Sequence, residues 1–173
     1  PRSTASSGST RRWGRRSLTT GNDVAIDAAA TPAAMDEVHR LLARCWAADG
    51  GVLAAAPDDA WCGAFATAVA EVAANIVRHA FPCGHPDPRF RLRLRRAGDH
   101  LEAVFADRGV PFAGRLPATM PPFALDAPDD FPEGGMGLAL AEAAVDLLRY
   151  ERDVDGENRW ILRKRLPATA ASE

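Results

Sequence analysis

The sequence predicts a two-layer α/β sandwich, in which a mixed, mostly antiparallel sheet carries its helices on one face. Three observations lead there. Short runs with apolar residues at alternate positions recur at 23–28, 89–96 and 100–106, the period of half-buried strands, and 149–154 and 159–166 flank the hairpin signal Asp155-Gly156. Between them, 31–46, 61–81 and 138–148 repeat their apolar residues at helical spacing. The resulting order is strand, helix, helix, two strands, helix, two strands. With 173 residues the chain suits one domain, and a domain of about 150 residues buries roughly two-thirds of its unfolded surface.

Each element has its own local reason. Residues 1–21 are rich in Ser, Thr, Gly and Arg, too poor in apolar groups to fold, and read as a disordered basic tail. DVAIDA at 23–28 makes the first strand. Thr31-Pro32 reads as an N-cap followed by proline in the first turn, and the helix carries Met35, Val38, Leu41, Leu42, Cys45 and Trp46 to the stop at Asp49-Gly50-Gly51. Pro57-Asp58-Asp59 starts the central helix; Pro82, Gly84 and Pro86 end it. RFRLRLRR at 89–96 sets Phe90, Leu92 and Leu94 on one face and arginines on the other, a solvated sheet face. The turn Ala97-Gly98-Asp99 leads into HLEAVFA. A proline-rich stretch at 113–134 has no periodicity and is long enough to be a lid. Gly134-Gly135-Met136-Gly137 then opens a helix marked by Leu138, Ala141, Val145 and Leu148. Asp155-Gly156 turns a closing hairpin, and 168–173 are a short tail.

Composition excludes several classes. The net charge is −2, and the arginine-faced strand lacks the interleaved aromatics of a nucleic-acid surface, so direct nucleic-acid binding is not expected. No run approaches the roughly 18 apolar residues of a membrane span, and no secretory segment follows the early arginines. Cys45, Cys62 and Cys83 contain no C-x-x-C and read as reduced thiols of a cytoplasmic protein. Cys83 and His85 without a second cluster make a poor zinc site. His39 reads as a surface histidine. Lys164 is the single lysine, so neither a P-loop nor the lysine and H-R-D loop of a eukaryotic-type kinase can be assembled.

The chemistry-bearing residues sit on the central helix. Glu71, Asn75 and His79 stand four apart and form one polar row beside the apolar stripe. A carboxylate one turn from a carboxamide suits a magnesium-nucleotide site, with Asn75 as oxygen ligand and Glu71 as base; it also suits the plain solvated face of an amphipathic helix. Downstream, DRGVPF places an acid and a glycine at a strand end. The glycine turn before the last helix offers free N–H groups and a positive dipole end to phosphate.

Taken in order, these motifs carry a resemblance. EVAANIVRHA resembles the E-x-x-x-N-x-x-x-H-A box of the GHKL ATPase superfamily, DRGVPF its D-x-G box, and EGGMGLAL its glycine box. The HAF ending and the closing N-R-W-x-L-R-K-R-L are most similar to the partner-switching serine kinases called anti-sigma factors. The match covers about residues 22–166, making 22–167 the ATP-binding domain with the Bergerat fold of that superfamily. The resemblance implies that Asn75 binds magnesium and that Glu71 takes the proton of an attacking serine. It implies that Asp107 bonds the adenine amino group, that Gly109 permits close approach, and that Gly135 and Gly137 admit the phosphates of ATP under a closing lid. The same boxes put Arg78, His79, Pro111, Phe112, Gly134, Met136 and Leu138 around the nucleotide.

The function so implied is an ATP- and magnesium-dependent protein-serine kinase. It phosphorylates a STAS-domain anti-sigma antagonist and sequesters a sigma factor or other regulatory protein, and homodimers are common among such relatives. One departure favours an alternative, a nucleotide-dependent binding switch without phosphotransfer: family kinases often carry a basic lid residue just before the glycine box, and Glu133 stands there in this chain. The ATPase part of a histidine kinase fits less well, because one helix precedes the central one and EVHRLLARC does not resemble an acceptor-histidine hairpin.

Overall fold

The structure is a computed structural model and describes residues 23–47, 51–53, 56–114, 116 and 136–167. Its strands are β1 (Asp23–Ala29), β2 (Arg89–Ala97), β3 (His100–Asp107), β4 (Leu147–Arg152) and β5 (Asn158–Arg165). The helices are α1 (Ala34–Cys45), α2 (Asp59–Asn75), a π-helical turn at Ile76–Ala80, and α3 (Met136–Ala143). The strands form one sheet in the order β1-β2-β3-β5-β4, and every neighbouring pair is antiparallel. The expected mixed sheet is corrected in that respect. β3 and β4, joined through α3, do run the same way, but β5 inserts between them and pairs with both.

The core lies between the sheet and the helices. Phe90, Leu92, Leu94, Leu101, Ala103, Phe105, Trp160 and Leu162 fill the sheet side; Val38, Leu41, Leu42, Phe65, Val69 and Val72 come from the helices. Burial of a side chain such as Phe65 stabilises the fold by about 1.5–3 kcal/mol. By length and composition Asp59–Ala80 is a 22-residue helix apolar enough to cross a membrane. Here its apolar residues Phe65, Val69, Val72 and Ile76 are spent on the sheet and on α1 and α3. Trp61 ties its start to the sheet: the indole N–H donates to Arg165 O at 2.7 Å, and Lys164, which donates to Ala144 O, lies over the ring.

Two element ends differ from expectation. Thr31 does not cap α1 through its side chain. Instead, Ala34 N–H and Met35 N–H donate to the Thr31 and Pro32 carbonyls in a turn that precedes the helix. At the other end of the chain, Val145 and Leu148 leave the helical pattern because α3 stops at Ala143. Asp146 N–H donates to Arg163 O, its carboxylate accepts from Arg165 N–H, and Leu147 already pairs with β5. Pairing with a waiting strand outcompetes the last helical turn.

The outer face of the sheet is more ordered than a solvated arginine face. Glu102 is 1 % exposed and is held by Arg95 and Arg163 at 2.6 and 2.7 Å. Burial pushes its carboxyl up, but the two guanidiniums outweigh that and hold it below the usual range. Arg91 and Arg159 likewise meet the buried Glu157.

Candidate functional site

The site is built on the end of the central helix. Asp58 caps α2 by accepting from Trp61 N–H at 2.8 Å, and buried Phe65, Val69 and Val72 fix the helix against the core. That rotation leaves Glu71 and Asn75 half-buried on the flank beside α3. The helix then widens into the π turn, a local irregularity that recurs at functional sites.

A cavity of about 190 Å³ opens at this flank, lined by Glu71, Asn75, Arg78, His79, Met136, Gly137 and Leu138. Seven residues singled out in the sequence therefore meet around one space. A Cβ at Gly137 would overlap Glu71 Oε2, so the carboxylate lies directly against the first turn of α3. Arg78 is exposed, and its Nε–H donates to Ala74 O at 3.1 Å. Gly134 and Gly135, with most of the expected lid, lie outside the described residues.

The D-x-G segment reaches the same helix from the sheet. Asp107 is the last residue of β3 and 3 % exposed. Its Oδ1 accepts from Gly109 N–H at 2.8 Å and from the Asn158 amide at 2.7 Å. Its Oδ2 is buried with no hydrogen-bond partner among the described residues. Burial pushes this carboxyl above its ordinary range, against the lowering effect of the two hydrogen bonds. Leaving such an acceptor bare costs about 1–3 kcal/mol. Gly109 permits a close approach, and the group approached is the protein's own backbone: a Cβ there would overlap the Ala80 carbonyl. Val110 N–H donates to that carbonyl at 2.7 Å, tying the segment to the residue after His79.

Asp107, Gly109, Pro111 and Phe112 are not among the residues lining the cavity. Pro111 is exposed, while Phe112 packs edge-on against Tyr150 and Trp160. Sequence reasoning assigned nothing to Tyr150, Arg152 or Asn158, yet these hold the segment. Tyr150 O–H donates to Asn158 Oδ1 and accepts from Phe112 N–H; Arg152 donates to Gly109 O. The available signal was a polar Asn158 among the apolar alternation of the last strand.

Among the described residues no group of three or more His, Cys, Asp or Glu gathers to hold a metal. The half-buried Asn75 carboxamide does fit a cation that takes most of its oxygen ligands from phosphates and water, as magnesium does.

A polar helix row thus faces a helix that opens on glycine, with a buried aspartate at the end of β3, in an α/β sandwich. Residues 28–164 match the family of histidine kinase-like ATPase domains, and the chain belongs to it. It is similar to the serine/threonine-protein kinase BtrW of Bordetella bronchiseptica, with 38% identity over 88 residues, 51% of this chain and 59% of that protein. The chain thus matches rather more than half the length of that relative.

Proposed function

We propose that this protein is an ATP- and magnesium-dependent protein-serine kinase. Its substrate is a small STAS-domain antagonist, and it sequesters a sigma factor or another regulatory protein in the cytoplasm. The observation that carries this reading is the Glu71 carboxylate lying against Gly137 at the opening of α3, with Asn75 one turn further along the same cavity. Phosphate oxygens accept from N–H groups at such a helix start, which brings the terminal phosphate beside a carboxylate base. The bare Asp107 Oδ2 accepts from the adenine amino group. The similarity to a serine/threonine kinase supports the same reading.

In the reaction the serine hydroxyl oxygen bonds to the γ-phosphorus, the bond to the bridging oxygen breaks, and ADP leaves. The hydroxyl proton passes to Glu71. Positioning dominates phosphoryl transfer, and one aligned carboxylate base contributes about a hundred- to ten-thousandfold. Asn75 would hold magnesium, which would supply neutralisation of the developing charge. The test combines the protein with its antagonist, ATP and magnesium. Phosphoserine should form with the wild type and fall at least about a hundredfold with Glu71→Ala; equal phosphoserine from both proteins would remove the kinase reading.

A second reading is a nucleotide-dependent binding switch without phosphotransfer. It is favoured by the lining, in which the basic side chains are Arg78, already bonded to Ala74 O, and His79. It is distinguished by ATP that changes partner affinity while the antagonist stays unmodified.

A further inference from the structure

We propose that Asn158 is a positioning residue that sets the base specificity of the nucleotide site by keeping Asp107 Oδ2 a bare, fixed acceptor. This rests on the nucleotide reading above. Asn158 is the first residue of β5 and 2 % exposed, paired across the ladder with Asp107. Every bond of its amide is accounted for. Oδ1 accepts from Tyr150 O–H at 2.7 Å and from Arg152 Nη1 at 2.5 Å. Nδ2 donates to Asp107 Oδ1 at 2.7 Å and faces the Val110 and Gly109 carbonyls at 3.1 and 3.3 Å.

The orientation of this amide follows from the chemistry of its neighbours. Arg152 has donors and no acceptor. Tyr150 Oη already accepts from Phe112 N–H, so its own proton is free for Asn158. Two donors on one side require the amide oxygen there. On the other side stand a carboxylate and two carbonyls, which only accept, so the NH₂ must face them. Turning the amide over would set donor against donor and oxygen against carboxylate.

The consequence falls on Asp107. With Oδ1 engaged by Gly109 N–H and the Asn158 amide, the carboxylate cannot rotate without losing two bonds, and Oδ2 stays buried with no partner among the described residues. Such an acceptor welcomes an exocyclic amino group and rejects a carbonyl in its place, because oxygen would then meet an uncompensated carboxylate. Without Asn158 the carboxylate is held by one N–H alone, free to turn and to admit water. Its power to tell the two groups apart then falls.

Adenosine and inosine triphosphates differ at the base edge that meets this acceptor, an amino group at C6 beside an unprotonated N1 against a carbonyl beside N1–H, and form the test, read as the ratio of their dissociation constants. Wild type should prefer ATP by on the order of a hundredfold or more, as sites built to bond a ligand donor do. Asn158→Ala should cut that preference about tenfold, one hydrogen bond to a charged group, while the inosine nucleotide binds nearly as before. Tyr150→Phe keeps the ring packing and removes one of the donors aiming the amide; it should cut the preference in the same direction, and it decides the matter if Asn158→Ala does not fold. A folded Asn158→Ala or Tyr150→Phe that keeps the wild-type ratio overturns the inference and leaves the nucleotide reading standing. A wild type that binds neither nucleotide overturns that reading, and the inference with it.

Discussion

Val110 N–H donates to the Ala80 carbonyl at 2.7 Å, joining the segment that carries Asp107 to the π turn that carries Arg78 and His79. Gly109 makes this junction possible, since a Cβ there would overlap the Ala80 carbonyl and lie 2.9 Å from Ala80 Cβ. The obstructing atoms are backbone and cannot swing aside. Gly109→Ala should therefore destabilise the fold by about 1–3 kcal/mol, as overpacking does, and weaken ATP binding. Thermal melts and nucleotide titration check both.

Gly137→Ala makes the contrast. Its Cβ would overlap Glu71 Oε2, the far end of a flexible side chain. The carboxylate can move, so stability should change by less than about 1 kcal/mol. Phosphotransfer should fall well below wild type, because the displaced group is the proposed base. Melting temperature and phosphoserine yield, measured on one preparation, separate the two effects.

Asp107 holds its charge at a cost. A carboxyl whose folded pKa is raised favours folding below its unfolded pKa and loses that contribution as pH rises through the folded pKa. At neutral pH its ionised form therefore works against stability. Asp107→Asn keeps an oxygen for Gly109 N–H and Asn158 and removes the buried charge. The variant should melt at or above the wild-type temperature at pH 7, and should lose ATP binding, because an amide NH₂ would then face the base amino group.

Glu102 runs the opposite way. Its folded pKa is lowered by Arg95 and Arg163, so its contribution is present above the unfolded value of about 4.3 and disappears as pH falls through the folded one. Glu102→Gln should be about 1–2 kcal/mol less stable than wild type at neutral pH, a modest figure because both arginines are partly exposed. The gap should close on acidification below the ordinary glutamate range. Denaturant melts of the two proteins across that range follow it.

Local periodicity made most of this architecture legible. Apolar alternation located three strands and the Asp155-Gly156 turn the closing two, and the four-residue spacing of Glu71, Asn75 and His79 placed them on one helix flank. What stayed hidden depends on contacts distant in sequence. Asn158 meets Asp107 across 51 residues, and Tyr150 meets Phe112 across 38; the polar Asn158 in the last strand hints at a partner but does not say which. The end of α3 was misread for a related reason. Leu138, Ala141, Val145 and Leu148 keep helical spacing, but strand pairing of Leu147 and Leu148 with Arg163 and Leu162 decides the last two turns. The widening of the central helix after Asn75 leaves no mark in the spacing either.

Titration of ATP into wild type and Asn75→Ala, with and without magnesium, addresses the cavity most directly. The expected result is saturable binding by wild type that tightens with magnesium, and a variant in which most of that gain is gone. Wild type that does not bind ATP, or a variant with the full magnesium gain, would contradict the assignment of this cavity to a magnesium-nucleotide site.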